Sequence, residues 1–192
     1  AVLAHSGVSR QLGDVRIVDR AGMQVPYLLE RRDEPLIVEV AVERKGLPEG
    51  IQFGSATSTI YALHPPFNEL PDARLVLTTR ARVFKRTVTM GVVTPAIERQ
   101  PARFDMLETL SWAHADEAIA APSITFAVPQ RVNGDLFLVV EEGDNQPLPI
   151  EKANILMPSY AVRLFRRPSL PLRLVYGNPR IGAPQYDLQL LA

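Results

Sequence analysis

Apolar and polar positions alternate along most of this chain with a period of two. Val38, Val40 and Val42 fall on one side, with Glu39, Ala41 and Glu43 opposite. Leu75 and Leu77 alternate with Arg74, Val76 and Thr78, and Phe84, Val88, Met90 and Val92 oppose Lys85, Thr87 and Thr89. Ile124, Phe126 and Val128 repeat the pattern before Pro129, as do Leu172, Leu174 and Tyr176 before Gly177. Successive side chains of a pleated strand point to opposite faces, so this spacing predicts strands with one face on a core. Turn residues separate the runs at short intervals: Arg20-Ala21-Gly22, Gly46-Leu47-Pro48, Asn133-Gly134-Asp135 and Gly182-Ala183-Pro184. Many short strands with such punctuation predict an all-β sandwich or barrel of about a dozen strands.

Two stretches carry more than alternation. Residues 136–140, LFLVV, are apolar on both faces, which predicts a strand central in its layer. The run stops at Glu141-Glu142, turns through Gly143-Asp144-Asn145, where residues tolerate positive φ, and resumes at Ile150–Met157 after two prolines. Residues 105–121 are rich in helix formers and fit a helical face through Met106, Leu110, Ala113 and Glu117, and also a strand through Phe104, Met106, Leu110 and Trp112. The expectation is a strand to Trp112 followed by a loop containing one helical turn.

Composition narrows the function classes. A chain of 192 residues can bury roughly 70 % of its unfolded surface without staples. The 21 basic and 21 acidic residues cancel, so no cationic excess exists to neutralise a nucleic-acid backbone. Absence of cysteine excludes disulfides, thiolate chemistry and Cys-ligated zinc. No run of 18 apolar residues and no signal peptide is present, and the start at AVLAHSG reads as a processed piece of a longer protein.

Catalytic signatures are weak. There is no G-x-S-x-G elbow, and Ser111, His114 and Asp116 are neighbours in sequence without a triad pattern. His114 with Asp116 and Glu117 is a thin zinc set, with an exposed polar loop as the alternative. Asp105, Glu108, Asp116, Glu117, Glu141 and Asp144 offer carboxylate pairs for glycoside hydrolysis, but sequence does not set their separation. Phosphate-loop and dinucleotide motifs are absent. Two binding constellations remain. Trp112, His114 and Asp116, with Tyr61 and His64 near a second turn, match a sugar site, the competing reading being that Trp112 fills the core. Glu141, Glu142, Asp144 and Asn145 offer hard oxygens for a structural calcium ion, the competing reading being a strand–corner–strand unit.

The succession IYAL, ARLVLTT, FKRTVTMGVV, SITFAVP and GDLFLVVEEGDNQPLPIEKANILM, over residues 60–157, resembles the galactose-binding-like (discoidin-type) jelly-roll sandwich. LGDVRIVDRAGMQVPYLLE (12–30), GDNQPLPI (143–150) and LRLVYGNPRIGAPQYDLQLLA (172–192) resemble an uncharacterised family of bacterial envelope proteins, a domain of unknown function. That resemblance implies a secretion signal, a membrane anchor beyond this chain and a periplasmic or envelope address, and it transfers no catalytic residues. The expectation is therefore one all-β unit over 1–192, with a sandwich core at about 50–160 and flanking strands over 1–45 and 161–192. Its function would be a non-catalytic binding or scaffolding module that recognises a glycan or an envelope protein. A carbohydrate-active hydrolase with two carboxylates is the alternative. No cofactor is expected beyond the possible calcium.

Overall fold

The computed structural model describes residues 2–7, 11–51, 53, 55, 57–96, 101–132, 135–165 and 171–187. It is all-β, with thirteen strands among those residues: β1 Arg16–Val18, β2 Tyr27–Arg31, β3 Leu36–Glu39, β4 Ala41–Arg44, β5 Ser58–His64, β6 Arg74–Thr79, β7 Val83–Thr94, β8 Arg103–Ala115, β9 Ile124–Ala127, β10 Leu136–Glu141, β11 Ile150–Met157, β12 Tyr160–Leu164 and β13 Arg173–Val175. A single π turn, Leu3–Gly7, precedes them. No described helix is long and apolar enough to cross a membrane. The chain divides into two compact units: residues 1–36, 69–71 and 157–192, and residues 37–68 and 72–156.

The second unit holds a five-stranded sheet, β4-β5-β10-β7-β8, and a four-stranded sheet, β3-β11-β6-β9. As its doubly apolar pattern predicts, β10 is the middle strand of the larger sheet, and Leu136 to Val140 are all buried. Its register places Leu138 between Met90 and Tyr61, and Leu136 between Val92 and Leu63. Those residues share one face. On the smaller sheet, Leu75 lies between Phe126 and Ile155, and Leu77 between Ile124 and Ala153, all buried. Burying such rows from both sheets gives a sandwich-like core, each large side chain contributing about 1.5–3 kcal/mol.

The other face of the large sheet is also covered near its centre. Phe137 lies between Ala62 and Gly91. A Cβ on Gly91 would come 2.3 Å from the Phe104 ring and 2.7 Å from the Asp105 carbonyl oxygen. Glycine therefore lets the ring lie on the backbone, and Phe104 in turn meets Phe53 at 4.4 Å between ring centroids.

Three details depart from the sequence reading. The Val38–Val40–Val42 run is not one strand. Val40 is buried and donates its N–H to Ala153 O of β11, while Ala41 already pairs with His64 of β5. The chain thus changes sheets at Val40, and β3 and β4, expected among the flanking strands, belong to the sandwich unit. β8 runs three residues past Trp112, to Ala115, and the turn that follows is held by Asp116 without a helical turn. Its ladder with β7 runs in register from Val83–Ala115 to Met90–Glu108, with Trp112 and His114 opposite Arg86 and Phe84, and shifts register between Met90 and Gly91. Of the Asn133-Gly134-Asp135 turn, the first two residues lie outside the described residues.

The first unit is two ribbons, β1-β13 and β12-β2. Leu12, Val15, Ile17 and Tyr27 form its core, with Leu164, Leu172, Tyr176 and Tyr186 packed against them. Arg16 ties early chain to late chain: its buried guanidinium donates to Gly13 O at 2.8 Å, Val15 O at 2.6 Å and Gly182 O. Gly177 N–H donates to the Asp14 carboxylate at 2.6 Å.

Candidate functional site

The residues singled out for sugar binding do not form an open platform. Trp112 is 3 % exposed. Its indole N–H donates to Pro122 O at 2.8 Å and its ring meets Phe84 edge-on at 5.4 Å. Tyr61 is 8 % exposed and donates its hydroxyl to Leu148 O at 2.8 Å; burial, with the Glu142 charge second, raises its pKa. A ring sealed in the core with its polar handle satisfied presents no face to a pyranose. His114 Nε2 lies 3.2 Å from Ile119 O, and Asp116 accepts the Ala118 N–H at 2.8 Å. These bonds shape the β8–β9 turn. His64 lies elsewhere, at the end of β5, with Nδ1 2.7 Å from Asp135 and Nε2 3.4 Å from Glu43. The Asp135 hydrogen bond, assisted by Glu43, raises its pKa.

The acidic corner is organised by an ion pair. Arg86 Nε donates to Glu142 Oε2 at 2.6 Å, both side chains being almost fully buried. Glu142 Oε1 accepts the Leu148 N–H at 3.0 Å, and Arg86 also donates to Lys85 O and Gln146 O. Asn145 closes the turn on Glu142 O through both its backbone N–H and its side-chain amide. Glu141 and Asp144 are exposed. Among the described residues no group of three or more His, Asp or Glu could hold a metal ion. The calcium set is thus spread over a corner in which Glu142 and Asn145 serve the backbone. Arg86 was not singled out in the sequence, since it stands 56 positions from its partner.

Two further hydrolase carboxylates are engaged within the fold. Asp105 pairs with Arg103 and accepts from Thr94, and Glu108 accepts the Ala127 N–H at 3.0 Å, bracing β8 against β9.

The first unit holds a feature the sequence reading missed. In the β2–β12 ribbon, Tyr27 opposes Leu164, Leu29 opposes Val162, and Arg31 opposes Tyr160, so these side chains share a face. The row is buried at Tyr27 and opens outward: Leu29 and Val162 are each 38 % exposed, and Tyr160 37 %. Beside it lies a cavity of about 230 Å³ lined by Leu12, Tyr27, Leu29, Pro184 and Tyr186, among others. Tyr27 and Tyr186 meet edge-on at 5.5 Å, and burial raises the Tyr27 pKa. Gln11 and Leu12, at the cavity wall, have φ of 48° and 61°, a left-handed conformation that costs a side-chain-bearing residue about 1–2 kcal/mol. Leu12 N–H is held there by Ser6 O at 2.7 Å. The sequence reading expected flanking strands over 1–45 and 161–192 without picking out β2 or β12, and only their pairing assembles the row.

No family model matches this chain, and no curated protein and no solved structure is significantly similar to it.

Proposed function

We propose that this protein is a non-catalytic scaffolding module of a bacterial envelope protein, and that it docks another protein along the β2–β12 ribbon. The observation that carries the reading is the apolar row Leu29–Val162–Tyr160 running into the adjacent cavity. At about 230 Å³ that cavity is below the roughly 300–1,000 Å³ of small-molecule sites and suits a single apolar anchor side chain. The ribbon has two strands and therefore two edges not paired to a further strand among the described residues, which supports docking by strand addition. A protein partner is favoured over a glycan because Trp112 and Tyr61 are occupied within the core. What supports the envelope address, and the galactose-binding-like form of the sandwich, is the resemblance of the quoted stretches.

The test is paired. Leu29→Asp with Val162→Asp places charge on outward side chains, and the circular dichroism spectrum reports whether the fold is kept. The proposal expects the double variant of the parent protein to lose a stoichiometric protein partner that the native parent retains through detergent extraction. It also expects no saturable binding on a glycan array. Retention of the partner by a folded variant, or specific glycan binding, would overturn it.

A further inference from the structure

The two edges of the β2–β12 ribbon are not equivalent. The cavity of about 230 Å³ touches Tyr27, Leu28 and Leu29 of β2, with Gln11, Leu12 and Tyr186 among the residues opposite, and no residue of β12 lines it. Consecutive residues of a strand point to opposite faces, so a hollow that touches three in a row lies along the strand's edge. The cavity therefore marks the outer edge of β2.

The ladder shows which backbone groups that edge presents. Arg32 N–H donates to Ser159 O at 2.9 Å, one step beyond the Arg31–Tyr160 pair. In an antiparallel ladder, residues whose N–H and C=O face the partner strand alternate with residues whose groups face away. Glu30 and Leu28 thus also face β12, and the N–H and C=O groups of Leu29 and Arg31 point outward. Among the described residues β2 pairs with no other strand, so these groups form an open edge. Its charge is unbalanced. Glu30 is held by Arg163 at 3.0 Å and Arg32 by Glu34 at 2.5 Å. Arg31 is exposed and forms no ion pair among the described residues.

We propose that the ribbon's occupant is an extended acidic segment of a partner protein, added as a strand along the free edge of β2. Its main chain pairs with Leu29 and Arg31, an apolar side chain fills the cavity, and an Asp or Glu meets Arg31. Side chains on one face of a strand recur every second residue, so the acid stands two or four positions from the anchor. Tyr27 and Arg31 are separated by about 13 Å of strand, a span that four residues of helix, at about 6 Å, would not cover. The proposal deepens the docking reading and rests on it.

The experiment selects short random peptides, displayed on phage, against the whole chain. Enriched sequences should carry an apolar residue with Asp or Glu at one of those two offsets; their order reports parallel or antiparallel addition, and either supports the site. When a selected peptide is titrated into the labelled chain, amide exchange should slow at Leu29 and Arg31. Leu28 and Glu30, which face β12, should be protected before binding. Arg31→Gln should weaken the peptide roughly two- to fivefold. Arg31→Glu should turn the selection towards Lys or Arg, and Arg180→Gln should change nothing. No enrichment, an acidic preference that survives Arg31→Glu, or protection gained at Tyr160 and Val162 in place of Leu29 and Arg31 would overturn it. In each of those cases a protein partner still lost from the folded Leu29→Asp, Val162→Asp variant would leave the docking reading standing, so the two failures are distinguishable.

Discussion

At the scale of single residues, the Arg86–Glu142 pair is the most consequential contact in the sandwich unit. Both charges are almost fully buried, and Glu142 also fixes the Leu148 N–H, so the pair shapes the whole 142–148 corner. Removing one partner strands the other charge in the core. Arg86→Met should therefore destabilise the protein by about 3–5 kcal/mol in urea unfolding. Arg86→Met with Glu142→Gln should cost clearly less than the sum of the two single changes, because the stranded charge is gone. His64 supplies a pH-dependent counterpart. Asp135 and Glu43 raise its folded pKa above the ordinary value of 6.5, so they favour the imidazolium. Its stabilising contribution is full below about pH 6.5 and fades as pH rises through the higher folded value. The site is more than a third exposed, so solvent screens it and the contribution is small. A proton NMR titration should show the raised pKa, and Asp135→Asn should lower it. Trp112 gives a third expectation: blue-shifted emission, poorly quenched by acrylamide and unchanged by added sugars. The sequence marked Glu141-Glu142 as the end of a strand, and Glu142 is the inward one of the two. It could not show which cation meets the inward one, because that depends on β7 lying beside β10.

At the scale of elements, alternation was a sound guide to strands and a poor guide to their limits. β10 was legible as a central strand because apolar side chains on both faces have no other stable setting. The β3–β4 switch was not, since Val38, Val40 and Val42 alternate without interruption through a change of sheet. The helical reading of 105–121 rested on good helix formers, yet the ladder with β7 and the aromatic contact of Trp112 with Phe84 override propensity. Gly91 is the element-scale residue most open to test. An added methyl group meets the Phe104 ring and the Asp105 backbone, so Gly91→Ala should destabilise by about 1–3 kcal/mol in urea unfolding. Gly22→Ala adds no clash, because open space surrounds it, and its cost should come from its φ of 83° alone.

At the scale of the whole molecule, the sequence disclosed an all-β chain and left its functional surface hidden. The quoted aromatic, imidazole and acidic residues were chosen because their chemistry is conspicuous. In the fold most of them secure turns and corners, with Trp112 and Tyr61 in the core. The surface that opens outward is built from unremarkable residues brought together by long-range pairing, Leu29 with Val162. The measurement that bears most directly on the proposed role is site-specific photocrosslinking in the producing cell, with the probe at Val162. The docking account predicts one discrete protein adduct, lost when Leu29 is changed to Asp and absent when the probe sits at Arg180. No adduct at Val162, or the same adduct from both positions, would contradict it.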